Sequence, residues 1–345
     1  MTLVVHPHFH FRRTGTTSHV ESVLGELQGH VQARGLGIKL RPAVPRIRWG
    51  ELWRRLRREP VIWHAHRNNE LFLGLLLRAL GRNVRVVFTR HAATPPSFIT
   101  RWLLRRADRI VSLTAEVARE VREPSTIIGH GVDLGRFREP VNRAVAWASL
   151  GVGGRYGLGV VGRVRPAKGQ GDFGEALRPL LPGLPDWQAV VVGRVLPSEQ
   201  AWAAGLAARI PERLRFVPEQ ADVLPWFQGL TVAVQPSRSE GYSLVLLEAL
   251  ASGCCVVAAR LPHFPGIIED GVTGFLYEPG DVAGLRRILE RQMKDPALAQ
   301  KTGQRAAADA RRRLGLDAEA RALAQVYRGL LPAEGAAPGP ASGLP

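Results

Sequence analysis

Leu230 to Val257 reads L-T-V-A-V-Q-P-S-R-S-E-G-Y-S-L-V-L-L-E-A-L-A-S-G-C-C-V-V. Leu230–Val234 is a short β-favouring apolar run that stops at Gln235-Pro236. From Ser243 onward the apolar residues fall at helical spacing, so a helix is expected to start there. A strand tip, a loop and a helix N-terminus present free N–H groups and the positive end of the helix dipole, which favours a bound anion. Two carboxylates frame the helix start, Glu240 in the loop and Glu248 inside the helix. Carboxylates do not grip an anion, but they accept hydrogen bonds from hydroxyls on the same ligand. The stretch therefore predicts a sugar phosphate or nucleotide.

Outward from it, strands and helices alternate. In the first half strands are expected at Thr2–His6, Ile38–Leu40, Val61–His64, Val84–Thr89, Arg109–Leu113 and Thr126–Ile128. Helices are expected at Ser18–Arg34, Trp49–Arg58, Glu70–Leu80 and around Ile99–Arg105. The alternation restarts at Tyr156 and ends in helices Val282–Met293, Ala297–Arg313 and Asp317–Leu330. Such alternation predicts parallel α/β sheets, which bind ligands at the carboxyl ends of their strands. His64, His66, Arg90 and His91 fall at such ends, beside a loop carrying Gly15. A strand-end histidine serves either as a structural hydrogen-bonding residue or as part of a site, and Gly15 either as a turn glycine or as a close approach to ligand. His64 and His66 lack a third ligand or a D-x-D pair, so no metal site is expected.

The 345 residues suggest two domains of roughly 130–190 residues each. The expected division is a domain at 1–140, a linker at 141–154, a second domain at 155–313, a helix at 314–331 returning to the first domain, and a disordered Ala-, Gly- and Pro-rich tail at 332–345. The adjacent Cys254-Cys255 fits neither a disulfide framework nor a zinc site and predicts buried core in a reducing compartment. With no long apolar span and no leader pattern, the chain is expected to be cytoplasmic. A net charge of +17, carried almost entirely by arginine, attracts nucleic acid, anionic membrane or phosphorylated substrates without ranking them. No aromatic-basic stacking pattern speaks for nucleic acid.

Gly162-Arg163-Val164-Arg165-Pro166-Ala167-Lys168-Gly169 follows one strand and precedes a helix. Its glycines admit close backbone approach, and Arg163 and Lys168 supply a fork donor and a compact ammonium, which suits a diphosphate. It is neither a P-loop nor G-x-G-x-x-G.

Together, G-R-V-R-P-A-K-G, P-S-R-S-E-G-Y-S-L-V-L-L-E-A-L-A-S-G and E-D-G-V-T-G-F-L resemble the retaining, nucleotide-sugar-dependent glycosyltransferases of family 4, with their E-x7-E signature on Glu240 and Glu248. F-R-R-T-G-T-T-S-H-V, W-H-A-H-R-N-N-E and H-G-V-D-L resemble the lipopolysaccharide core mannosyltransferases within that family. The resemblance implies a GT-B architecture, two Rossmann-like parallel-sheet domains facing a cleft. It also implies a nucleotide-sugar co-substrate, with GDP-mannose the donor that the mannosyltransferase subgroup suggests, no further cofactor or metal, and a glycan or lipid-linked acceptor. Arg163 and Lys168 would hold the donor diphosphate, Glu248 would accept ribose hydroxyls, Glu240 would accept sugar hydroxyls, and His91 would contact the transferred sugar. Gly15, Gly162, Gly241, Tyr242, Ser243, Leu244 and Val217 would line the donor site, and Arg13, Thr16, His66, Arg67 and Asn68 the acceptor side. The chain departs from the family at the single Gly15, at Tyr242-Ser243 and at Cys254-Cys255, which leaves the donor sugar open. Competing readings are a same-fold transferase acting on an exopolysaccharide intermediate or soluble glycoside, and a non-catalytic basic protein binding lipid or nucleic acid.

Trp49–Arg58 places Trp49, Leu52, Trp53 and Leu56 on one helical face and arginines on the other. Such a helix either lies in a membrane interface, joined by Trp102–Arg106, or packs on its own sheet.

Overall fold

The computed structural model describes residues 2–11, 15–92, 94–209 and 213–331; Arg13 and the tail at 332–345 lie outside them. The first half runs β1 (Leu3–His8), α1 (Gly15–Leu27), β2 (Gln32–Gly37), α2 (Trp49–Arg55), β3 (Val61–Ala65), α3 (Asn68–Ala79), β4 (Val84–Arg90), α4 (Phe98–Leu104), β5 (Arg109–Ser112), α5 (Ala115–Val121) and β6 (Thr126–Ile127). Its sheet is parallel, in the order β2-β1-β3-β4-β5-β6. The second half runs α6 (Arg143–Ala148), β7 (Tyr156–Val161), α7 (Gln170–Leu177), β8 (Trp187–Val192), α8 (Gln200–Ala208), β9 (Leu214–Val217), α9 (Leu224–Gly229), β10 (Leu230–Gln235), α10 (Leu244–Ala251), β11 (Cys255–Ala259), β12 (Phe275–Tyr277), α11 (Val282–Lys294), α12 (Pro296–Arg313) and α13 (Leu316–Arg328). Its sheet is also parallel, in the order β12-β11-β10-β7-β8-β9.

Sheets buried on both faces need apolar residues at consecutive positions, and the strands supply them. Val190 and Val192 of β8 face one core of the second half, while Ala189 and Val191 face the other. Residues 141–154 carry α6, which packs on α9 with Trp147 only 2% exposed. The Trp147 ring lies 2.4 Å from where a Cβ on Gly157 would stand, so β7 has glycine there. Arg143 of α6 ties this segment down by donating to the carbonyls of Phe227, Leu230, Ser252 and Gly253. The final helix, α13, leaves the second half and packs on α1, with Leu316, Ala320, Leu323, Ala324 and Tyr327 in the same core as Val4, Val20 and Leu24.

One expectation is corrected. The helix expected at 18–34 is α1, ending at Leu27, and Gln32–Gly37 is an edge strand rather than the helix's last turns. Of the two readings of 49–58, packing is the one found for most of the face: Leu52 and Leu56 are buried and Trp53 packs on the first core, while Trp49 stacks on Phe9 at 5.9 Å and stays 46% exposed.

Each sheet has one point where the chain, having gone to one side of a strand, returns to the other: between β1 and β3, and between β7 and β10. Crevices form at such points. The loops after β7 and β10 carry Lys168 and Glu240, β1 ends at His8, and His64 and His66 flank the end of β3 at Ala65.

Candidate active site

The loops after β7 and β10 are joined. Gly169 has φ 72°, and a Cβ there would stand 1.9 Å from the Pro236 carbonyl oxygen, so only glycine lets the first loop press against the end of β10. The Arg238 N–H donates to the Ala167 carbonyl at 3.2 Å. This contact brings Lys168 to Glu240: the ammonium donates to Glu240 Oε1, which also accepts from Gln235 Nε2 at 3.0 Å. Arg163 is exposed, with its carbonyl held by Gln170 Nε2 at 3.0 Å. Gly162 has φ 139°, and its carbonyl lies 1.9 Å from where a Cβ on Gly193 would stand. Val217 ends β9 and accepts from the Gly193 N–H at 2.9 Å.

The Ser243 hydroxyl caps α10 by accepting from the Leu246 N–H at 3.3 Å. The N–H groups of Gly241, Tyr242 and Ser243 donate to no other backbone group among the described residues. Across the cleft, Gly15 opens α1, and a Cβ on it would stand 3.9 Å from Leu244 Cδ1. The N-termini of α1 and α10 thus meet, and neither helix has an acidic residue in its first turn. Two positive dipole ends beside Lys168 make a strong place for an anion.

Glu248 lies on α10, and its carboxylate makes no hydrogen bond or ion pair among the described residues. Burial pushes it up to about 7, against the pull of Arg136 and with the repulsion of Asp222. Tyr242, raised to about 12 by burial, stands edge-on to His130 at 5.3 Å and stacks on His263 at 5.8 Å. Its hydroxyl lies 2.6 Å from where a Cβ on Gly129 would be, so the two halves touch here.

On the first half's side, His91 Nε2 meets His66 Nδ1 at 3.1 Å and His91 Nδ1 meets His130 Nε2 at 3.3 Å. Asn68 turns away to donate to Thr100 Oγ1 at 2.8 Å, tying α3 to α4. Arg67 occupies the N-cap position of α3 without a side-chain cap, close enough for its charge to act on His91. Thr16 is half-buried in the first turn of α1.

The expectation that His64 and His66 have no third companion is corrected: His6 joins them, with ligand-type nitrogens within 4.8 Å of one another. His19, His130 and Glu319 form a second such group. The sequence reading also missed His263, whose buried Nε2 has no hydrogen-bond partner among the described residues, and Glu319 and Tyr327 of α13. Glu319 had one legible signal, a carboxylate on the apolar stripe of an amphipathic helix.

Residues 155–295 match the family profile described as Glycosyl transferases group 1, and residues 5–136 that described as Glycosyltransferase Family 4. The chain is 36% identical over 339 residues to the lipopolysaccharide core biosynthesis mannosyltransferase LpcC of Rhizobium leguminosarum bv. viciae, covering 95% of this chain and 96% of that one. It is 31% identical over 342 residues to LpsB, of the same description, from Rhizobium meliloti, covering 95% and 97%. In fold it is similar to the Anabaena protein Alr3699/HepE, solved in complex with UDP and glucose, with a TM-score of 0.78 at 18% identity over 96% of this chain and 100% of that one. With two such sheets facing a cleft in the GT-B manner and this match along its whole length, the chain is a glycosyltransferase and belongs to the group 1, family 4 glycosyltransferases.

Proposed function

We propose that the protein transfers mannose from GDP-mannose to a lipopolysaccharide core saccharide, with retention of configuration and without a metal ion. The observation that carries the chemistry is the meeting of the α1 and α10 N-termini beside the Lys168–Glu240 pair. The full-length likeness to LpcC and LpsB supports the sugar and the acceptor. In this reading Lys168, Arg163 and the two helix ends take up the charge of the departing diphosphate, as a divalent cation would. The bond from the sugar C1 to the phosphate oxygen breaks, the acceptor oxygen bonds to C1 on the same face, and its proton passes to the leaving phosphate. Glu240, with Oε1 held by Lys168 and Gln235, accepts hydroxyls of the donor sugar and is not a nucleophile. Glu248 accepts the ribose hydroxyls, and the segment around Val217 lines the base. Thermal shifts with GDP-, UDP- and ADP-sugars test the donor. GDP-mannose at about a hundred times its Kd should stabilise by about 2.7 kcal/mol, and a larger rise with another nucleotide sugar would overturn the assignment.

The acceptor in this reading is anchored in the inner face of the cytoplasmic membrane, and the protein meets it there. Among the described residues no helix is long and apolar enough to cross a membrane. Instead α3 exposes Phe72 and Leu76 along a stripe that Leu80, just past its end, continues, and the adjoining α4 exposes Phe98 at 83%, Ile99 at 68% and Trp102 at 46%. Arg106 stacks on Trp102 at 3.9 Å, and Arg101 and Arg105 flank it. Apolar side chains ringed by arginines suit an anionic lipid surface. Changing Phe98, Ile99 and Trp102 together to serine should cut co-sedimentation with phosphatidylglycerol vesicles at least about tenfold, at an expected cost of about 1 kcal/mol or more per lost anchor. Transfer to a soluble acceptor should be unaffected. Unchanged vesicle binding would end the membrane reading.

A further inference from the structure

One carboxylate, five imidazoles and two hydroxyls form a single file through the first half of the molecule. Glu319 Oε1 lies 3.2 Å from His130 Nδ1, and His130 Nε2 lies 3.3 Å from His91 Nδ1. His91 Nε2 lies 3.1 Å from His66 Nδ1, and His66 Nε2 lies 3.0 Å from His6 Nδ1. His6 Nε2 then meets the Tyr327 hydroxyl at 3.4 Å, that hydroxyl meets His64 Nδ1 at 2.6 Å, and His64 Nε2 meets Thr89 Oγ1 at 2.7 Å. Glu319 Oε1 also accepts from His19 Nε2 at 2.9 Å, and its Oε2 from the Gly131 N–H at 2.7 Å.

A neutral imidazole has one donor and one acceptor nitrogen, so the state of one ring dictates that of the next. Burial lowers His6 to about 3 and His130 to about 4, and takes His64, His66 and His91 well below the ordinary imidazole value. These five rings are therefore neutral near pH 7. Burial opposes the charge of Glu319, but His19 and His130 hold its carboxyl well below the usual range, so it is ionised and can only accept. His130 must then carry its proton on Nδ1 and accept at Nε2. The same assignment follows at His91, His66 and His6, after which Tyr327 donates to His6 and accepts from His64. Every hydrogen bond points toward Glu319.

We propose that Glu319 is a positioning residue that fixes the tautomer of His91, so that His91 Nε2 is the acceptor and His66 Nδ1–H the donor where the two rings meet at the cleft. His66 and His91 are the partly exposed members of the file. At their junction His66 only donates and His91 only accepts, so a sugar hydroxyl that replaces their direct bond as the rings part donates to His91 Nε2 and accepts from His66 Nδ1. The sugar contact rests on the proposed glycosyl transfer; the direction of the file does not.

The test is a long-range ¹H–¹⁵N spectrum of the full chain labelled in histidine, where ring shifts separate Nδ1–H from Nε2–H forms. His6, His64, His66, His91 and His130 should all be Nδ1–H in the wild-type protein, and Nε2–H at His91 would overturn the proposal. In Glu319→Gln the amide oxygen is needed by the Gly131 N–H, so the NH2 faces His130 and reverses the file. His91 should change tautomer, with kcat lower by about tenfold and the donor KM within about threefold, the pattern of an interaction made late in the reaction. An unchanged His91 tautomer in a folded Glu319→Gln protein would likewise sink the idea. Tyr327→Phe cuts the file beyond His6 and should leave His91 and His130 as Nδ1–H; a changed His91 there would mean that the far end sets the order, against the proposal. Predicted tautomers in a protein that no nucleotide sugar stabilises would support the file and refute the proposed transfer. Mannosyl transfer with Nε2–H at His91 would do the reverse.

Discussion

Replacing Lys168 with alanine is expected to lower kcat/KM by about a thousandfold, while the protein stays folded. The magnitude follows from what the ammonium is placed to do. A glycosyl transfer builds negative charge on the departing diphosphate, and a preorganised cation is effective there because its reorientation is complete before the reaction begins. Lys168 is preorganised twice over. Its backbone belongs to the turn that Gly169 allows to rest on Pro236, and its ammonium is held by Glu240. Removing it takes away the positive charge and leaves Glu240, whose side chain is 11% exposed, with only the neutral Gln235 amide beside the incoming phosphates. Both effects act in the same direction. The fold should survive because the side chain lies at the surface of the cleft and the turn is set by Pro166 and Gly169, which the variant keeps. Lys168→Arg should recover only part of the loss, since a planar fork does not fill the place of a compact ammonium. The check is initial-rate kinetics with circular dichroism on the same preparation. Turnover near the wild-type level in a folded Lys168→Ala protein would remove Lys168 from the site.

The parts of this arrangement that were legible in the sequence are the local ones. The strand, loop and helix at 230–251, the glycine and lysine of the 162–169 loop, and the histidines after β3 and β4 sit on contiguous segments whose period and punctuation reveal the element and its end. β2 was illegible because Q-A-R-G-L-G has little β preference, and because the helical period of α1 runs on past Leu27 without a proline to stop it. Tertiary pairing with β1 decides it. Which of its two readings holds for 49–58 was undecided for a similar reason. An amphipathic face says that something covers it, and for Leu52 and Leu56 that cover is the molecule's own sheet. Contacts between distant residues were out of reach altogether. Glu319 meets His19 and His130 across 300 and 189 positions of sequence, and no local pattern encodes that meeting. Sequence resemblance carried the roles of Glu240 and Glu248, which their spacing alone does not distinguish.

Glu248→Gln is expected to weaken donor use and to strengthen the fold at the same time. The Glu248 carboxyl stands on α10 with no hydrogen-bond or ion-pair partner among the described residues, and burial raises it from the ordinary 4.5 to about 7, with Arg136 pulling down and Asp222 pushing up. A group whose value is raised on folding contributes stability below its unfolded value and loses that contribution as the pH rises through its folded value. The wild-type protein should therefore give up on the order of 1–3 kcal/mol at this position between pH 4.5 and pH 8. Glutamine does not titrate, so the variant should melt higher than the wild type at pH 8, with the gap closing toward pH 5. Comparing the two proteins at each pH cancels the other titrating groups they share. The donor shows the opposite sign. Ribose hydroxyls bonded to a carboxylate are held more strongly than those bonded to an amide, by about 1–2 kcal/mol, so the donor KM of the variant should rise about tenfold or more above pH 7. Below pH 7 the wild-type carboxyl takes up its own proton and the difference should narrow. A group kept ionised for a ligand at the expense of the fold shows both effects together. A melting difference that does not vary with pH, joined to an unchanged donor KM, would show that Glu248 is an ordinary helix residue and that the ribose is held elsewhere.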